Sequence, residues 1–160
     1  MPLMTRRGGD LALLLLGGFR VMAERGTAEL AARGFEDIRP VHDFALHAIL
    51  SGAQSASDLG RRMAVTKQAA AKIISVLEHR GYVDREPDES DRRRKSLRVT
   101  SLGLSMLQEG EHIFDEIRHE WEQDVGTEAL LNLEAALTAF VGAKAIRLDA
   151  PGWSPLDSDA

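Results

Sequence analysis

Residues 57–103 read SDLGRRMAVTKQAAAKIISVLEHRGYVDREPDESDRRRKSLRVTSLG. They parse as a helix, a short turn, a second helix and a basic hairpin. In the second helix Thr66 has the hydroxyl of an N-cap, and no Gly or Pro interrupts Lys67 to Arg80 before Gly81 stops it. Ala70, Ile73, Ile74 and Leu77 recur at steps of three and four and predict one buried stripe. Upstream, Ser55 and Asp58 have capping-box spacing, and Leu59 and Met63 share a face at i, i+4. Only Ala64–Val65 separates the two helices, a spacing that suits a helix-turn-helix.

The side chains left outside that stripe carry the chemistry. Thr66, Lys67, Gln68, Ala69 and Lys72 are short or hydrogen-bonding and crowd the N-terminal end of the second helix. That end of a recognition helix meets base edges. Gln can pair bidentately with adenine, and Lys reaches guanine acceptors or a phosphate. Downstream, Tyr82–Glu86 reads as a strand ended by Pro87, which cannot donate to a ladder. Leu97 and Val99 alternate with Ser96, Arg98 and Thr100, the period of a half-buried strand. Between the strands lie Arg92, Arg93, Arg94 and Lys95. A charge run is ordinarily a solvated surface. Four adjacent cations directly after a helix-turn-helix instead predict an anionic partner, with arginines suited to a narrow minor groove. Asp88 and Asp91 are expected to hold this loop or its arginines in shape.

On these residues the chain resembles the MarR family of winged helix-turn-helix transcriptional regulators. The similarity is carried by MAVTKQAAAKIISVLEHRGYVDRE and by DESDRRRKSLRVTSLG. The latter has the family's wing pattern, Asp-x-x-Asp-Arg-Arg followed by Leu-Thr-x-x-Gly, with Val99 in place of the Leu before Thr100 and Gly103. The resemblance implies a mainly α fold with a small β-hairpin wing, flanked by terminal dimerisation helices. It places Thr66, Lys67, Gln68 and Lys72 at recognition positions and Arg92 and Arg93 on the wing. It gives Asp91 the part of steadying the wing.

Composition sets the bounds. The 160 residues are 44% hydrophobic and 28% charged, enough for one domain with a core. Cysteine is absent, which removes disulfides, thiolate zinc sites and the cysteine oxidation that triggers some members of the family. The net charge of −5 is unevenly spread. Residues 61–98 hold 11 Lys+Arg against 6 Asp+Glu, while the remainder carries −10. DNA responds to the local patch, because screening hides charges beyond about 8–10 Å. No Gly-rich phosphate loop, nucleophile motif or dinucleotide pattern is present, so no enzymatic activity and no cofactor are expected.

Working outward, residues 1–9 read as a disordered tail, 10–148 as the folded unit and 149–160 as a second loose tail. The winged helix-turn-helix spans about 40–103, with dimerisation helices about 10–33 and 101–146. Arg6-Arg7 precede a run of only six apolar residues, Leu11–Leu16, too short for a span, so neither membrane insertion nor export is expected and the protein is read as cytoplasmic. Asp10 is a candidate cap for the first helix, whose start is apolar nearly all round and therefore calls for a partner subunit. Thr127 is a candidate cap for the last, where Leu130, Leu133, Leu137, Phe140 and Val141 make one stripe.

Two further clusters lie outside the helix-turn-helix and wing. His112, Glu116 and His119 lie at i, i+4, i+7 and are weak zinc candidates that lack a visible fourth ligand. By the family resemblance, His42, Phe44 and Trp121 are candidates to line an effector pocket, against the plainer reading of core contacts. The reading of the chain is a homodimeric, sequence-specific DNA-binding regulator. It is expected to repress at a palindromic operator and to be relieved by a small-molecule effector. A metal-responsive regulator of the same fold and an adaptor that no longer binds DNA are the alternatives.

Overall fold

The computed structural model describes residues 7–142. Six helices and one hairpin follow in the order α1 Arg7–Ala32, α2 Pro40–Leu50, α3 Ala56–Met63, α4 Lys67–His79, β1 Val83–Pro87, β2 Lys95–Val99, α5 Ser101–Val125 and α6 Thr127–Val141. The fold is mainly α with a two-stranded antiparallel wing, β1 pairing with β2 from Val83–Val99 to Pro87–Lys95. The expected tail at 149–160 and the end of the last helix near 146 lie outside the described residues.

The core forms where α2, α3, α4 and β2 meet the middle of α5. Leu46, Leu59, Ile74, Leu77, Met106, Ile113 and Ile117 are completely or almost completely buried there. Each sits on the apolar stripe of its own element, so burial of one face per helix brings the segments together. On α5 the buried stripe runs Gly103, Met106, Leu107, Gly110, Ile113, Ile117. Gly110 belongs to the stripe, because α2 approaches there and a Cβ would stand 3.6 Å from Asp43 Oδ1. Leu102, one position before the stripe, is exposed.

Two caps differ from expectation. The first helix starts at Arg7, so Asp10 lies inside its first turn and Arg7–Gly9 are helical rather than part of a tail. Gly126, not Thr127, occupies the N-cap of α6 and Thr127 is the first helical residue. Gly17-Gly18 do not break α1. The close approach on that helix is at Gly26, where a Cβ would lie 3.4 Å from the Phe114 ring.

α1 packs on α5 and is held there by ion pairs. Arg25 grips Glu120, while Arg33 reaches Glu109 at 2.8 Å and Glu116 at 3.0 Å. α6 is tied to α5 through Arg118 and Glu134 at 2.6 Å. Beyond these contacts the terminal helices remain apolar and uncovered. Leu11, Leu13, Leu14 and Leu15 of α1 and Leu131, Leu133, Phe140 and Val141 of α6 are exposed, Leu14 by 72% and Phe140 by 82%. Of the predicted α6 stripe, only Leu130 is buried. No helix among the described residues is long and apolar enough to cross a membrane.

Candidate nucleic-acid interface

The helix-turn-helix is locked by short-range chemistry that the sequence spells out. Ser55 Oγ accepts from Asp58 N at 3.1 Å, and the Asp58 carboxylate accepts in return from Gln54 N at 3.2 Å. α3 ends at Ala64, which takes the left-handed conformation at φ 55°. The chain then turns so sharply that Val65 O comes within 2.9 Å of where a Cβ on Gly60 would stand. Thr66 caps α4, its Oγ1 accepting from Ala69 N at 3.1 Å. This hydroxyl therefore serves the helix start before it can serve a base.

The burial of α4 defines its outward face. Ala70, Ile74 and Leu77 are buried, while Lys67, Gln68, Ala71, Lys72 and Ser75 are exposed. Ala69, expected on the reading face, is half-buried. Ala71 and Ser75 were missed in its place. Their signal was available, since they continue the rows from Lys67 at i+4 and i+8.

The wing is built by its two aspartates. Asp88 Oδ1 accepts from the Ser90 backbone N at 2.9 Å and from its hydroxyl at 2.8 Å. Asp91 Oδ1 accepts from Arg93 N at 3.0 Å, and Asp88 N donates to Arg94 O at 2.8 Å. Both carboxylates thus hold loop backbone and form no ion pair with the guanidinium groups. The bonds from Ser90 keep the Asp88 pKa low, with a smaller contribution from the nearby charge of Arg94. The wing is fastened to the helix-turn-helix by Leu97 N donating to Gln54 O at 3.2 Å and by Arg85 pairing with Glu78 at 2.6 Å.

The cations differ in their pairing. Arg25, Arg33, Arg61, Arg80, Arg85, Arg98 and Arg118 are each in an ion pair. Lys67, Lys72, Arg92, Arg93, Arg94 and Lys95 are exposed and form none among the described residues, nor do Arg7, Arg20, Arg39 and Arg62. The one continuous run of such cations is 92–95 on the wing, with Lys67 and Lys72 on α4.

The other candidates are dispersed. His42 is buried and caps α2, its Nδ1 accepting from Arg39 N at 3.1 Å. Burial, then the charges of Arg80 and Arg39, push its pKa down to about 4. Phe44 lines a cavity between α1, α2 and α5, but His42 and Trp121 do not. The ring of Trp121 lies beside Gly18 of α1 instead. The metal trio does not converge. His112 meets Glu116 at 3.1 Å, Glu116 is also held by Arg33, and His119 turns to Glu122 at 3.9 Å. No group of three or more metal-binding side chains is assembled among the described residues.

The neutral state of His42 makes acid stability testable. The unfolded histidine binds a proton near pH 6.5, whereas the folded one waits until about pH 4. Across that window the unfolded chain holds more protons, so stability falls as pH drops from about 6.5 to 4. The raised carboxyl pKa of Asp43, pushed up by burial, acts in the opposite sense. Urea midpoints measured across this window should fall for the native protein and fall less for His42→Gln. Equal slopes would show that other groups govern the acid transition.

Helix, tight turn, capped second helix and antiparallel wing over one core define a winged helix-turn-helix protein. The model of the MarR family matches residues 40–94 of this chain. Among solved structures, the reduced form of MarR from E. coli is 19% identical, with a TM-score of 0.68 over 82% of this chain and 96% of that one. A point mutant of MepR from S. aureus bound to an oligodeoxyribonucleotide is also 19% identical, with a TM-score of 0.59 over 82% and 95%. MepR bound to ethidium bromide gives 20% and 0.57 over 81% and 93%. Comparison with curated proteins returns no match.

Proposed function

We propose that the protein is a homodimeric, sequence-specific DNA-binding transcription regulator, a repressor released by a small molecule. The observation that carries the reading is the set of unpaired cations at the α4 tip and wing, on a chain whose other arginines are largely ion-paired. A phosphate backbone supplies the missing partner, and release of its counterions supplies the binding energy. Lys67, Gln68, Ala71, Lys72 and Ser75 would face base edges in the major groove, with Thr66 at its entrance. Arg92, Arg93, Arg94 and Lys95 would grip the adjoining backbone or minor groove. The MepR–oligodeoxyribonucleotide structure supports this use of the fold.

The uncovered leucines of α1 and α6 support the dimer, since exposed large apolar side chains gathered on two helices suit an interaction surface. A two-fold pair would present its α4 helices about 34–36 Å apart, matching successive major-groove faces of a palindrome. The cavity between α1, α2 and α5 supports the effector reading, because it joins a terminal helix to the helix behind the DNA-reading unit. A ligand there would shift the spacing only by its differential affinity for the two arrangements. The MepR–ethidium structure is a parallel on the same fold.

Selection from random-sequence duplexes with the purified protein tests the reading. An inverted repeat with half-sites about one helical turn apart, bound by a dimer in sedimentation, is expected. Enrichment of no sequence would favour an adaptor, and a single unpaired site would overturn the dimer.

A further inference from the structure

Where α1, α2 and α5 meet, a cavity of about 60 Å³ is walled by Phe19, Phe44 and Phe114, one from each helix. Gly26 and Gly110 on facing helices keep it open. Asp43 is the single carboxylate in this otherwise mostly apolar wall. Its Oδ2 faces His47 Nε2 at 3.6 Å, beyond hydrogen-bond reach, and its Oδ1 lies on the Gly110 side. Neither oxygen accepts a hydrogen bond among the described residues.

His47, across a loose ion pair, offsets its charge only in part. Glu111 approaches the same imidazole at 3.8 Å and adds a second negative charge. Arg39 also lines the cavity, and its charge acts on His42. A partly buried carboxylate without a full counter-ion is unfavourable, consistent with the upward push that burial gives its pKa. A cation entering the cavity would relieve that cost, whereas an anion would meet the Asp43 carboxylate. Phenyl walls add attraction for a cation and shelter for an apolar body.

We infer that this cavity takes the ammonium head of a small lipophilic amine, with Asp43 as its counter-ion. The inference rests on the effector reading above and names the ligand's chemical class. The body of such a molecule would run into the broader groove of about 590 Å³ along α1, which shares Phe19, Ala23, Thr27 and Pro40 with the cavity.

Benzylammonium, benzyl alcohol and benzoate share one ring and differ in head-group charge. Calorimetric titration of the full chain with each separates the classes. Benzylammonium should bind about tenfold or more tighter than the alcohol, the effect of one charge-assisted hydrogen bond, and benzoate weakest. Asp43→Asn should erase the preference for ammonium over alcohol. Gly110→Ala, whose new methyl has ordinary room at 3.6 Å from Oδ1, should weaken all three while leaving the carboxylate in place. Thermal unfolding of both variants guards against misfolding.

Benzoate binding as well as benzylammonium, a preference that survives Asp43→Asn, or no binding by any of the three would each overturn the inference. A labelled duplex from the selection experiment distinguishes this from failure of the effector reading. Asp43-dependent benzylammonium binding that leaves DNA affinity unchanged upholds the charge class and sinks the effector reading. Release of DNA by benzoate alone does the reverse.

Discussion

Replacing Arg92 and Arg93 together by alanine should lower affinity for a selected operator about a hundredfold near physiological salt. Each lost charge-assisted contact accounts for roughly tenfold. The salt dependence should fall in step. Each phosphate contact contributes about 0.9 to the slope of log affinity against log salt, so the slope should drop by about 2 per protomer. The fold should survive, because both side chains are exposed and form no ion pair among the described residues. The bond from Arg93 N to Asp91 is made by backbone and persists in alanine. Arg98→Ala is the control. It removes a cation from the same hairpin, but one already occupied by Asp84 and Glu86, each at 2.6 Å. Its effect on the slope should be much smaller. Should all three substitutions act alike, only overall charge matters and the wing has no special part.

Gly103→Ala should destabilise the protein by about 3 kcal/mol, at the upper end of the usual cost of overpacking a close-packed site. The new methyl would stand 2.7 Å from Val99 Cγ1 and closer still to the Tyr82 carbonyl oxygen. None of these neighbours can give way cheaply. Tyr82 O already accepts from Thr100 N at 3.0 Å. Thr100 Oγ1 donates to Gly81 O at 2.6 Å and accepts from Gly103 N at 3.1 Å. The start of β1, the end of β2 and the first turn of α5 therefore meet at one backbone crossing. For a chain of this size the loss corresponds to a fall of about 6–12 °C in Tm. The sign is diagnostic. Alanine for glycine inside a helix normally stabilises by up to about 1 kcal/mol, and Gly17→Ala, with nothing within 4 Å of its Cβ, should do so. A stable Gly103→Ala protein would mean that the crossing is looser than described.

Local chemistry made much of the winged helix-turn-helix legible. Ser55, Thr66 and Gly81 mark helix ends whose geometry needs only neighbouring backbone groups, and the structure realises all three. The alternation of Leu97 and Val99 likewise reports a strand with one buried face. The reading face of α4 was half legible. Ala69, Ala70 and Ala71 are identical as residues, and only the packing of α4 assigns them different degrees of burial. Asp88 and Asp91 were seen as wing residues, but whether they bond arginine or backbone depends on the turn's three-dimensional path.

Spacing within the chain thus determined the order of elements, their caps, the buried stripes of the helix-turn-helix and the position of the cationic wing. These follow from interactions between residues a few positions apart. What only the tertiary structure decided lies between distant segments. It made Gly103 a point of close approach, buried His42 near the charge of Arg80, and assembled Phe19, Asp43 and Phe114 around one cavity. It also split the metal-like set, sharing Glu116 between His112 and Arg33 and turning His119 to Glu122. Such pairings depend on how α1 and α5 cross α2, a geometry set by the sum of many weak packing contacts and encoded in no single stretch.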